Sequence, residues 1–143
     1  MKTQVGRKDF QSFKRTILSE MGETVELFDK RVKRYSRLAL EGILMRSPVL
    51  TGRFKSNWLV TANHRQDREP RFVPPGTNGA IDGGALFAGL SVIRGCEPFS
   101  DIVIQNNTPY SDLLEAGRSK RSHAAMGQIE VTLASVDLLD INK

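Results

Sequence analysis

Ser119, Ser122 and His123 fall together in "RSKRSH", and a serine beside a histidine is the raw material of nucleophilic catalysis. That chemistry needs a base within hydrogen-bond reach of the nucleophile and a third group to orient the base. The segment is basic and offers no carboxylate for the third role, and His64 lies in a different polar stretch. A surface loop is the expected reading. Asp112 and Glu115, three residues apart, have the look of paired acids, but on one short helix that spacing is better explained as a solvated face beside the basic residues that follow. Cys96 is the single cysteine, which excludes an internal disulfide, and with two histidines no Cys/His zinc spacing exists. It reads as a small, partly buried residue. "GTNGAIDGG" lacks the lysine and the glycine spacing of a phosphate-binding loop. The expectation is therefore no catalytic residue, no cofactor, no metal site and no enzymatic turnover.

Charge is the more informative chemistry. The 143-residue chain carries 21 basic and 16 acidic residues, a net charge of +5, which favours anionic partners without naming them. Lys30, Arg31, Lys33, Arg34 and Arg37 crowd one stretch, and Arg118, Lys120 and Arg121 form a second cluster. Each could contact phosphates with salt-sensitive, sequence-independent affinity. Each could equally be a solvated surface, and no aromatic residues are interleaved to stack on single-stranded bases.

The elements that must position these clusters follow from periodicity. Phe10, Phe13, Ile17, Met21, Val25, Phe28, Val32, Tyr35 and Ala39 recur at three- and four-residue steps, the stripe of a helix. Asp9 is its expected N-cap. The pattern runs through Leu38, Ile43 and Leu44 to Ser47-Pro48, where proline disfavours helix in the preceding residue. Gly22 predicts an interruption, giving a short helix and a longer one or one kinked rod. Thr51-Gly52 marks a turn, and residues 57–62 read as a strand with Trp58 and Val60 on one face.

Residues 63–84, rich in proline and glycine, predict a long flexible loop, an assembly arm that orders against a neighbour. A helix is predicted over 85–94 with Gly95 at its C-terminal end, then a strand over Ile102, Val103 and Ile104, closed by Asn106, Asn107 and Pro109. Tyr110 to Ala116 predict one or two helical turns capped by Ser111 and ended by Gly117, with Tyr110, Leu113 and Leu114 packed on the sheet. Residues 126–139 fit a strand period and a helix period at once. A length beyond ten residues favours helix.

Two segments together resemble the tail completion, or minor tail, proteins of tailed phages, including the lambda-like family: "SPVLTGRFKSNW", with its Thr51-Gly52 and Trp58, and "IVIQNNTPYSDLLEAGRSKRSHAAMGQIEVTL", with Asn107, Tyr110, Leu114, Glu115 and Gly117. A helix precedes the first motif, and a proline- and glycine-rich insertion plus helix separates the two. The basic "RSKRSHAAMG" departs from the family's usual loop. The resemblance implies a virion structural protein at the head-to-tail junction, assembled in the host cytoplasm. It implies partners in copies of the chain arranged as a ring, in neighbouring connector or tail proteins and in genomic DNA contacted non-specifically. Arg118, Lys120 and Arg121 would then face the channel or an adjacent acidic surface. A free-standing basic nucleic-acid-binding protein is the alternative, since it needs only the charge.

No stretch approaches the ~20 apolar residues of a membrane span and no leader-like run opens the chain, so a soluble protein is expected. The fold expectation is one α+β domain over residues 1–143, a long N-terminal helix packed on a small, mostly antiparallel sheet with two or three further short helices.

Overall fold

A computed structural model describes residues 7–48, 53–68, 84–117 and 128–141, the side chains of 7–10 and 137–141 excepted. The fold is α+β. Helix α1 (Arg7–Arg46) is followed by the single turn α2 (Arg53–Ser56), strand β1 (Trp58–Ala62), helix α3 (Gly84–Gly95), strand β2 (Ile102–Asn106), the short α4 (Ser111–Glu115) and helix α5 (Gln128–Ile141). The two strands pair antiparallel, Trp58 opposite Asn106 and Ala62 opposite Ile102. The long first helix, the antiparallel pair, the helix before Cys96, the short helix and the helical choice for 126–139 all agree with the sequence expectation. Thr51-Gly52 and residues 69–83 of the expected arm lie outside the described residues.

Several local expectations are corrected. Helix α1 passes through Gly22 without a break, and it begins at Arg7, so Asp9 lies inside it rather than at its cap. Forty residues at ~1.5 Å each give a rod about 60 Å long. The cap position of α4 is Tyr110, not Ser111, and no side chain caps it. Leu114 faces the core as expected, whereas Leu113 points outward and is 52% exposed. The tight turn α2, with Phe54 buried, was not anticipated.

The core sits on the C-terminal third of α1. Leu40 is fully buried, and Ile43, Leu44, Phe54, Trp58, Val60, Ile93 and Leu114 close around it. Phe54 meets Trp58 edge to face at 5.6 Å between ring centroids and lies 6.2 Å from the Tyr110 ring. Trp58 places its indole in this core by donating Nε1–H to the Ser47 hydroxyl at 2.8 Å, which in turn donates to the Ile43 carbonyl at 2.7 Å. Ser47 thereby ends α1 and satisfies a buried donor that would otherwise cost about 1–3 kcal/mol.

Two glycines set how closely the helices approach. A Cβ on Gly89 would stand 2.5 Å from Leu40 Cδ2 and 2.9 Å from Val60 Cγ2, and one on Gly42 would stand 2.6 Å from Thr132 Cγ2. The first lets α3 lie against both α1 and β1, and the second lets α5 lie against α1. Gly22, by contrast, has nothing within 4 Å. The same substitution should thus act in opposite senses. Gly89→Ala is expected to lower stability by about 1–3 kcal/mol through overpacking, while Gly22→Ala should raise it by up to ~1 kcal/mol through helix propensity. Urea unfolding midpoints of the two variants check the pair.

Candidate functional site

The segment from Gln105 to Gly117 is the part of the chain where polar side chains do the most connecting. Gln105, buried at 6%, donates Nε2–H to the Gln66 carbonyl at 2.8 Å and accepts from the Gln66 amide at 3.1 Å, so its side-chain amide imitates a strand partner for the residues beyond β1. Asn107 continues the imitation, donating to the carbonyls of Gln66 and Arg68 at 2.8 and 2.9 Å. Residues 63–68 of the expected arm are therefore tied to β2. Asn106 donates to the Phe54 carbonyl at 2.8 Å and accepts from the Thr108 amide at 3.0 Å and hydroxyl at 2.8 Å, the local Asx geometry that turns the chain into α4.

Helix α4 then acts as a bracket. Leu114 enters the core, and the half-buried Tyr110 lies beside Phe54. Burial raises the Tyr110 phenol above its ordinary value, with the Arg53 guanidinium opposing the shift. Gly117 adopts φ 68°, the left-handed conformation in which glycine carries no Cβ penalty, and its amide bonds back to the Leu114 carbonyl at 3.1 Å.

Glu115 corrects the reading of the acidic pair. Rather than solvating a helix face, its carboxylate accepts from the Ile129 amide at 3.1 and 3.2 Å and from the Glu130 amide at 3.3 Å. It caps the N-terminus of α5 from a different element, a charge-assisted contact with amides that have no partner inside the helix. Arg118, Lys120 and Arg121, with Ser119, Ser122 and His123, lie outside the described residues. Glu115, two residues before Gly117, thus ties α4 to the start of α5. Nothing in the spacing of Asp112 and Glu115 distinguishes a cap for a distant helix from a solvated pair, and the contact is legible only in three dimensions.

The next two turns of α5 are held by a residue that sequence reasoning missed. Arg46 donates Nη1–H to Thr132 Oγ1 and Nη2–H to Ser135 Oγ, both at 3.2 Å, and its Nη1 also reaches the Gly42 carbonyl at 3.3 Å. Thr132, 1% exposed, packs where Gly42 has no side chain.

The basic face of α1 is partly self-neutralised. Lys30 pairs with Glu26 at 2.6 Å, Lys33 with Asp29 at 2.9 Å, and Arg37 stands 3.9 Å from Glu41, all one helical turn apart. Lys30 holds the Glu26 carboxyl below its usual range, and Asp29 raises the Lys33 ammonium. Exposed pairs of this kind contribute little to stability, but they compensate three of the five cations. Arg31 and Arg34 form no ion pair among the described residues. Cys96 is half-buried and donates to the Ile93 carbonyl at 3.1 Å, as a small packed residue would. His64 is exposed beside the Ala62 carbonyl.

What α1 leaves uncovered includes an apolar row. Residues 11–24 are all exposed, Phe13 at 63%, Ile17 at 40%, Leu18 at 58% and Met21 at 59%. Phe28 finds one partner, stacking at 5.2 Å on Phe99. Phe99 occupies φ 64° in a turn closed by the Ser100 amide on the Glu97 carbonyl, a left-handed position unfavourable for a bulky residue.

Removing the remote cap tests the bracket. Glu115→Ala should cost about 1 kcal/mol, by analogy with other lost caps, and speed amide exchange at residues 128–131 more than in β1. Hydrogen-exchange mass spectrometry together with the unfolding midpoint reads both effects.

No protein-family model, curated protein or solved structure matches the chain.

Proposed function

We propose that this chain is a structural subunit of a tailed-bacteriophage particle, a tail completion or head-to-tail joining component. On this reading it works by self-assembly into a ring and by docking on neighbouring connector or tail proteins. The observation that carries it is the apolar stripe of α1 from Phe13 to Met21, left exposed by the described residues. A single copy gains nothing from that stripe, whereas an assembly does, since contiguous exposed apolar surface marks an interaction site.

The phage assignment adds the resemblance of two ordered motifs. Trp58 bonds to Ser47 at the end of α1, while Asn107, Tyr110, Leu114, Glu115 and Gly117 order the chain up to the residue before Arg118. A fixed platform under a charged contact is what docking requires, because a contact that must first be ordered binds more weakly. Ring contacts are heterologous, one patch on a different patch of the next copy. The rival reading, free-standing nucleic-acid binding through the α1 cations, is weakened by the acids already seated on Lys30, Lys33 and Arg37.

Three experiments test the proposal. The protein is expected in purified particles by mass spectrometry, and a host infected with a phage lacking the gene should accumulate heads and tails that are not joined. Reversing Arg118, Lys120 and Arg121 to glutamate should leave the melting temperature unchanged and lower infectious titre about tenfold or more, the ratio set by ~1.4 kcal/mol of lost docking. Normal joining without the protein refutes the assignment.

A further inference from the structure

Helix α1 is divided by charge as well as by burial. Lys14 and Arg15 lie in its first third, where Arg7 and Lys8 add the same sign in the sequence and Asp9 opposes it. Four acids and no base follow between residues 20 and 29, of which Glu26 and Asp29 already pair with Lys30 and Lys33, leaving Glu20 and Glu23 for a neighbour. Between the two blocks runs the exposed row Phe13, Ile17 and Met21, each one helical turn from the next.

We infer that this half of α1 pairs antiparallel with the same half of a second copy, about a two-fold axis at Ile17. The inference rests on the reading that the chain works by self-assembly, and it names one contact of that assembly. Antiparallel pairing lays Lys14 and Arg15 of each helix along Glu20 and Glu23 of the other. Parallel pairing in register would lay like charge on like, within the ~8 Å over which charges interact at physiological ionic strength. Among the described residues the chain's own body does not fill this role, since α1 is continuous and its packed third around Leu40 lies about 35 Å from Ile17 along the rod.

The register follows from three constraints at once. With Ile17 on the axis, Phe13 of each copy lies against Met21 of the other, so the row covers itself. Lys14 then stands level with Glu20. Arg7 comes level with Leu27, itself 61% exposed, one residue short of Phe28, where the Phe99 stack begins. Sliding the pair by one further turn toward the body would set Arg7 and Lys8 of each helix against Lys30 and Arg31 of the other. The overlap, residues 7–27, is about 30 Å long. Two single helices over that length make a contact at the low end of specific interfaces, below about 1,200 Å², so dissociation on the order of micromolar is expected. The contact is isologous and closes at two copies. It is therefore separate from the head-to-tail contacts of a ring.

The test uses the full chain with Cys96→Ser as background and single cysteines introduced by Phe13→Cys, Ile17→Cys or Met21→Cys, treated with a short bismaleimide. Expected are a covalent dimer from the Ile17→Cys chain alone, and one from Phe13→Cys and Met21→Cys chains only when the two are mixed. Sedimentation should give a dimer whose population rises with concentration, and Ile17→Asp should raise its dissociation constant at least about tenfold with an unchanged circular dichroism spectrum. Dimers from Phe13→Cys alone and from Met21→Cys alone would mean parallel helices and overturn the inference. Oligomers that persist at full strength in the Ile17→Asp chain would overturn it while leaving self-assembly standing. A chain monomeric at every concentration and missing from particles would remove both.

Discussion

The close approach of α1, α3 and β1 at Leu40 is the constraint on which the rest of the molecule depends. Leu40 has no exposed surface, and its side chain fits only because position 89 carries no Cβ. Ile43, Leu44 and Ile93 join the same contact, so α1 and α3 reach the core through neighbouring turns. A core of this size has little surplus. Losing one close contact moves α3 off β1 as well, since Leu40 and Val60 bracket the same glycine.

A two-stranded sheet is marginal by itself, and here side-chain amides enlarge it. Gln105, Asn106 and Asn107 supply donors and acceptors that a third strand would otherwise provide, holding residues 66 and 68, Phe54 and Thr108 in place. Because each amide donates and accepts in a fixed plane, these bonds set direction as well as proximity. The chain thus leaves β2 along a defined path into α4, and Glu115 hands that order on to α5. Order passes from Leu40 through the sheet to the feet of the basic segment by named contacts, with no large hydrophobic surface needed at its far end.

Much of this was legible in the sequence because it is local. The helix stripe, the stop at Ser47-Pro48, the strands at Trp58 and Ile102, and the terminator Gly117 all follow from residue types within a few positions of each other. What was not legible depends on partners far along the chain. Gly22, Gly42 and Gly89 are one residue type in three helical settings, and only the neighbours at 42 and 89, contributed by α5, α1 and β1, tell them apart. Glu115 beside Asp112 looks like a solvated pair until the start of α5 arrives in front of it. Leu113 and Leu114 are equivalent by composition, and the direction of α4 alone decides which is buried.

The same limit applies to α1 and explains why its stripe conceals two different surfaces. The apolar step from Phe13 to Met21 is indistinguishable in period from the step around Leu40, because period reports that a face is to be covered and not what covers it. Around Leu40 the cover is the chain's own sheet and α3. From Phe13 to Met21 it is not, and the exposed apolar side chains there sit between blocks of opposite charge that an average soluble helix would intermix. Mixed charge keeps a surface helix solitary. Segregated charge flanking an apolar row gives each half an opposite partner and favours one relative direction over its reverse. A helix patterned in that way favours one direction in any helix that packs on it, and this pattern, unlike the core, is written wholly within local sequence.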